Sequence, residues 1–281
     1  MVIDPQYLRC VVFLFADVPD ENTGKSKRTP AASGFLVAVG ISEDRVIRYL
    51  VTNRHVASLS RKYGSLYARL HQQDGKAVFA KVAIDAWYEH PNTDVAATPI
   101  PGVALENLAI PIEHLEIDAR VKEHNVGAGD NVFFVGLFSE HPGAERNEPI
   151  VRFGNIALMP EGEILVNTGD SVSRIRAYLV EARSWGGHSG LPAFVYFPPD
   201  RAAGRIVLTG EPNIFLLGLV QGHYNIEGDV KFVGDIDDQG SATVSMNAGI
   251  AVIVPAQDVY DLLMSGEIKE KREEAFGRAA S

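Results

Sequence analysis

Short apolar runs, broken by glycine, proline, asparagine and aspartate, recur along the whole chain. They are rich in Val, Ile, Phe and Leu, and their brevity predicts β-strands rather than helices. Strands are expected at about 7–17, 33–40, 46–52, 66–71, 76–84, 94–100, 131–138, 150–159, 174–183, 191–197, 214–223, 229–233 and 248–254. Helical periodicity is scarce. A short turn is expected after His55, and one longer helix fits "PAQDVYDLLMSGEIKEKREEAF" from Pro255 to Phe276. There the proline suits a first turn, and Val259, Leu262 and Leu263 fall on one face.

This pattern predicts an all-β protein, sandwich or barrel, closed by a C-terminal helix. The strand rhythm breaks at 101–130, where Pro101, Pro111 and the charged stretch "EHLEIDARVKEHN" intervene. We read that segment as a connector between β-rich halves at about 7–100 and 131–254, with a helix and tail at 255–281. The chain, 1–281, is thus read as one functional unit.

Composition narrows the function classes. With 281 residues, 46% hydrophobic and 22% charged, there is ample apolar material for a globular core. The net charge of −10 and the absence of a basic stripe argue against nucleic-acid binding. The basic clusters "KSKR" (25–28) and "KEKREEAFGR" (269–278) read as solvated loop and tail. The only cysteine, Cys10, permits no intrachain disulfide and sits in the apolar run "RCVVFLFADV", so a core position is expected. That run lacks a basic flank and a small-residue cleavage site, and no stretch reaches the roughly 18 apolar residues of a membrane span. A cytoplasmic location away from membranes is the expectation.

Three positions then stand out, each where a strand begins or ends and a rigid scaffold can display a reactive group. "RYLVTNRHVASL" carries His55, "YEHPNTDVAATPIP" carries Asp94, and "RSWGGHSGLPAF" carries Ser189. The order is His, Asp, Ser, at spacings of 39 and 95 residues. A serine hydroxyl is a poor nucleophile at neutral pH unless a base removes its proton, and imidazole titrates in the right range to do so. The nucleophile elbow G-x-S-x-G does not fit, because Leu191 stands where its second glycine belongs. Asp85 is a weaker candidate acid, lacking the "VA" that follows Asp94, and Ser184 a weaker nucleophile, lacking a following glycine. His71, His90, His114, His124 and His141 show no metal-ligand spacing; they read as surface residues, and neither a metal nor a cofactor is expected.

Together "ASGFLV" (32–37), "LVTNRHVA" (50–57), "NTDVA" (92–96) and "GGHSGLP" (186–192) resemble the boxes of the trypsin/chymotrypsin-like serine protease superfamily. The likeness is nearest to its bacterial high-temperature-requirement (Deg-type) branch, and "FLLGLVQG" (215–222) and "GIAVIVP" (249–255) extend it over residues 30–265. The stretch after 265 is too short for the PDZ domain that such proteases often carry. The resemblance implies two six-stranded antiparallel β-barrels with a cleft between them. It implies a serine endopeptidase working through an acyl-enzyme, with protein or peptide substrates. His55 would be the base, Asp94 its orienting acid and Ser189 the nucleophile. The amides of Gly187 and Ser189 would form the oxyanion hole, where losing one donor costs about 3–4 kcal/mol.

Two further implications concern specificity and control. Arg183, Gln221 and His223 would line the substrate pocket, and Arg183 and His223 would favour an acidic P1 side chain. His188 replaces the aspartate through which trypsin-type zymogens are activated, so cleavage-driven activation is not expected. The alternative is a protease-fold protein whose site is vestigial, or latent until a protein partner or self-association remodels it. The polar segments 139–149 and 224–247 are candidate regulatory loops.

Overall fold

The computed structural model describes residues 2–20, 24–42, 45–100, 105–167, 172–182, 189–198, 213–231 and 241–280. Strands dominate it, as the apolar pattern requires. The N-terminal sheet contains β1 (Val11–Pro19), β2 (Ser26–Ser42), β3 (Arg45–Thr52), β4 (Leu66–His71), β5 (Ala77–Val82), β6 (Tyr88–Glu89), β7 (Ala96–Ile100) and β8 (Ile110–Pro111). Its order is β5-β4-β1-β2-β3-β7-β6, with β8 pairing parallel to β2. It has eight strands where six were expected; the excess is the two-residue pieces β6 and β8.

The C-terminal half holds β9 (Asn131–Gly136), β10 (Ile150–Leu158), β11 (Glu163–Asn167), β12 (Val172–Arg176), β13 (Tyr178–Glu181), β14 (Pro192–Tyr196), β15 (Ile214–Lys231) and β16 (Ser241–Pro255). Six of them close into an antiparallel barrel, β10-β13-β16-β15-β14-β9, while β11 and β12 form a separate hairpin. The segments expected as two strands at 214–223 and 229–233 are one strand, because the ladder with β16 runs unbroken in direction from Gly218–Pro255 to Lys231–Ser241.

The first strand shows why its sequence reads as a continuous apolar run. Val11, Phe13 and Phe15 face one core, while Val12, Leu14 and Ala16 face another, so over Val11–Ala16 neither side of β1 meets water. The second core fills the N-terminal sheet with Leu36, Leu50, Leu66 and Leu70. The first lies between the halves, where Phe13 and Phe35 meet Phe133, Phe194 and Leu216. Phe133 and Phe194 stack with ring centroids 5.0 Å apart. Each such fully buried ring contributes about 1.5–3 kcal/mol of transfer free energy. Cys10 lies in this shared core, as expected, and burial pushes its thiol up to about 12.

Among the described residues, five α-helices decorate the strands: α1 (Pro5–Arg9), α2 (Arg54–Tyr63), α3 (Asp118–Glu123), α4 (Ala256–Met264) and α5 (Gly266–Ala280). The strand expected from residue 7 begins later, because Asp4 accepts from the Gln6 amide at 2.9 Å and nucleates α1 first. The single helix expected near the C-terminus is two. Extended Ser265 and left-handed Gly266, at φ +57°, break it. Val259 and Leu263 of α4 and Ile268 of α5 seal the shared core. Buried Arg272 donates to the Leu263 carbonyl at 2.7 Å, satisfying an orphan acceptor at the end of α4. Among the described residues, no helix is long and apolar enough to cross a membrane.

Candidate active site

Strand β3 ends at buried Thr52, Asn53 serves as the N-cap of α2, and His55 is the second residue of that helix. Amides in a helix's first turn have no intrahelical acceptor. The His55 amide instead donates to Asp94 Oδ1 at 2.9 Å, while His55 Nδ1 meets Asp94 Oδ2 at 2.7 Å. One carboxylate therefore holds both the backbone and the ring of His55. The acceptor at Nδ1 keeps the proton of the neutral imidazole there and leaves Nε2 as the basic nitrogen. The His55 side chain is 48% exposed and that of Asp94 only 11%, so the ring is reachable from solvent while its acid is shielded.

Asp94 reaches this place because β7 pairs with β3, with Ala96 opposite Thr52. Asn53 Nδ2 donates to the Asp94 carbonyl at 3.1 Å. Arg54 Nη1 donates to the His90 carbonyl at 3.2 Å, and His90 Nδ1 accepts from the Thr93 amide at 3.1 Å. Burial, and to a lesser extent Arg54, hold the His90 imidazole below its usual range despite Asp261, matching its role as a neutral acceptor. The 90–94 turn is thus pinned at several points. Asp85, the weaker candidate acid, sits exposed in a short 3₁₀ turn, Ile84–Ala86.

Ser189 lies in the turn that leads into β14, in the other half of the molecule. The turn is held on both sides. Within the barrel, the Gly190 amide donates to the Val220 carbonyl at 2.9 Å, and the Val220 amide returns a bond to Leu191 at 2.9 Å. Across the seam, the Ser33 amide donates to the Ser189 carbonyl at 3.1 Å. Gly190 has φ +80°, and a Cβ there would lie 2.0 Å from the Ser33 carbonyl oxygen and 2.5 Å from Thr52 Oγ1. No other residue type fits. The Ser189 hydroxyl donates to the Gln221 carbonyl at 3.2 Å, and among the described residues no hydrogen bond joins it to His55.

The predicted residues therefore fall into three groups. His55 and Asp94 are in direct contact, and Ser189 is tied through Ser33 to Thr52, three residues before His55. Gln221 is buried beside Ser189 and its Oε1 has no hydrogen-bond partner among the described residues, while His223 is half-buried two residues further along β15. Arg183 and Gly187, with Ser184 and His188, lie outside the described residues. Sequence reasoning assigned no role to Ser33, Thr52 or Asn53, although all three stand inside the "ASGF" and "LVTNRHVA" boxes.

One surface expectation is corrected. His71 is buried, not exposed, because β4 packs under the 139–149 segment. Its Nε2 accepts from the Asn147 amide at 3.1 Å, and neighbouring Arg69, also buried, donates to Asn147 Oδ1 at 2.6 Å and to the Gly143, Pro142 and Arg146 carbonyls. His124 is likewise engaged, with Nδ1 2.8 Å from the buried Glu116 carboxylate. Among the described residues, no group of three His, Cys, Asp or Glu side chains could hold a metal ion.

No family model matches the chain, and no curated protein matches it either. Solved structures do. A cysteine-to-alanine mutant of the Tobacco Etch Virus protease is 12% identical, with a TM-score of 0.45, covering 95% of this chain and 83% of that one. A serine-to-alanine mutant of Rv3671c from M. tuberculosis H37Rv, in its inactive form, is 17% identical, with a TM-score of 0.44, covering 94% of each chain.

Proposed function

We propose that the chain is a serine endopeptidase in which Ser189 attacks a peptide carbonyl, His55 accepts the hydroxyl proton and Asp94 orients the imidazole. Support comes above all from the two-point grip of Asp94 on His55, which leaves Nε2 basic and accessible. As the Ser189 Oγ–carbonyl bond forms, the proton passes to His55 Nε2. His55 then protonates the leaving amine as the peptide C–N bond breaks, giving an acyl-enzyme. Water, deprotonated by the same nitrogen, attacks the ester and releases the acid, restoring the Ser189 hydroxyl. Asp94 stays ionised throughout and stabilises the imidazolium. The amides of Gly187 and Ser189 are assigned the developing oxyanion, and Gln221, His223 and Arg183 the substrate side chain, with an acidic P1 preference that a peptide-library profile checks. The setting assigned to this activity is the cytoplasm, on protein or peptide substrates.

A second reading draws on one observation: the Ser189 hydroxyl is engaged by the Gln221 carbonyl rather than by His55. In that reading the enzyme is latent until a protein partner or a second copy re-aims the turn. A fluorophosphonate probe decides between them. Labelling of the wild type that vanishes in Ser189→Ala supports the endopeptidase; labelling that survives in Ser189→Ala overturns the assignment. Folded wild type that stays unlabelled favours the latent form.

A further inference from the structure

Ser33 is completely buried in β2, yet each of its three polar groups bonds to a different distant segment. Its amide donates to the carbonyl of Ser189 at 3.1 Å. Its hydroxyl accepts from the Leu137 amide, at the exit of β9, at 3.0 Å. Its carbonyl accepts from Thr52 Oγ1, at the end of β3, at 2.8 Å. The backbone is crowded around it. A Cβ on Gly136 would meet Leu191 Cδ2 at 1.8 Å and Ser33 Oγ at 3.2 Å, and one on Gly34 would meet the Val51 carbonyl at 2.7 Å. With Gly190 these glycines let four chain segments meet at Ser33 without side chains intervening. Among the described residues no β-ladder joins β2 to β9 or β14, so the bonds to Leu137 and Ser189 are not a by-product of strand pairing, while Thr52 stands at the end of β3, the ladder neighbour of β2.

From this crossing point we infer that Ser33 and Thr52 are positioning residues, which set the separation between the nucleophile turn and the histidine-bearing strand end. The inference rests on the assignment of Ser189 and His55 proposed above. Ser189 belongs to the C-terminal barrel and His55 to the N-terminal sheet, so their spacing depends on the seam between halves. Thr52 precedes His55 by three residues, and its hydroxyl holds the Ser33 carbonyl while the Ser33 amide holds Ser189. Removing the Thr52 hydroxyl leaves a buried carbonyl without this donor and frees the Ser33 backbone to shift. A displacement of about 1 Å at such a site costs on the order of 100-fold in rate.

The test compares Thr52→Val, which keeps the shape and loses the hydroxyl, with Thr52→Ser, which keeps the hydroxyl. Fluorophosphonate labelling rate, thermal midpoint and amide exchange of Ser33 are measured on the full chain. Thr52→Val is expected to melt within a few degrees of wild type, label about 10- to 100-fold more slowly, and exchange the Ser33 amide about 5- to 10-fold faster. Thr52→Ser is expected to restore both rates to within about threefold of wild type. Wild-type labelling and exchange rates in folded Thr52→Val overturn the inference, as does slow labelling that Thr52→Ser fails to rescue. If Thr52→Val does not fold, Thr52→Ala takes its place under the same criteria. If wild type itself does not label, the endopeptidase reading fails separately; Ser33 exchange then decides, with unchanged protection in Thr52→Val overturning the seam.

Discussion

The hydroxyl of Ser189 donates to the backbone carbonyl of Gln221, 3.2 Å away, so the same residue that anchors the hydroxyl also buries an amide side chain beside it. The Oε1 of that side chain has no hydrogen-bond partner among the described residues, and a buried unpaired acceptor costs about 1–3 kcal/mol.

Replacing Gln221 with methionine keeps the volume and removes the orphan acceptor. Gln221→Met is therefore expected to raise stability by about 1 kcal/mol, measured by denaturant unfolding. If the amide serves the substrate pocket, as proposed, the same variant raises KM for peptide substrates while kcat changes less. A variant that is less stable than wild type contradicts the unpaired acceptor.

Gly190→Ala tests the turn itself. The new methyl would have to occupy space 2.0 Å from the Ser33 carbonyl in a residue held at φ +80°. The expected outcome is a loss of at least about 2 kcal/mol in stability and near-complete loss of fluorophosphonate labelling. Unchanged unfolding midpoint and labelling would show that the seam is looser than these distances imply.

His71 makes the hold on the 139–149 segment sensitive to acid. Burial, with Arg146 and Arg69 close by, keeps its imidazole below the usual range, while Glu106 opposes the shift. Its Nε2 must stay unprotonated to accept from Asn147. As pH falls through the unfolded value of about 6.5, the unfolded chain takes up the proton before the native one does. Stability contributed above that pH is therefore lost on acidification. Wild type is expected to lose thermal stability between pH 7 and 5, with protease nicking at 139–149, whereas His71→Gln, which does not titrate, shows a flatter profile. Parallel profiles for the two proteins would count against this account.

Asp258 acts in the opposite sense. It stands in the first turn of α4, where the helix dipole favours an anion, but burial dominates and its carboxyl is pushed up to about 6. Arg176 partly offsets the burial, while Asp261 and Asp118 add to it. The native state thus favours the protonated acid, and stability falls as pH rises from about 4 towards 6. Asp258→Asn is expected to gain about 1–3 kcal/mol at pH 7.5 and to show no gain at pH 4. Equal effects at both pH values would rule out titration as the cause.

Much of the architecture was legible because burial imposes a short-range pattern. Strands such as β4, β9 and β14 are bracketed by turn residues, and both faces of β1 are covered over Val11–Ala16, so their apolar runs announce them. The boxes around His55, Asp94 and Ser189 were legible for a related reason: each is a local strand-end segment. Where two local preferences compete, the pattern misleads. Residues 5–9 became a helix because Asp4 caps them, and the C-terminal helix broke at Gly266 because that residue adopts a left-handed conformation.

By itself, then, the sequence determined the strand-rich character and the closing helical region, and it singled out His55, Asp94 and Ser189 as candidates. Only the tertiary structure decided that one carboxylate would hold His55 twice, that Ser189 would rest on Gln221, and that His71 would be buried under a segment some 70 residues further along. It also decided the role of Ser33, whose partners Thr52, Leu137 and Ser189 come from three separate elements. Local propensity acts over a few residues, whereas these bonds join segments far apart in sequence, and those from Ser33 to Leu137 and Ser189 form only once the two halves of the chain have packed against each other.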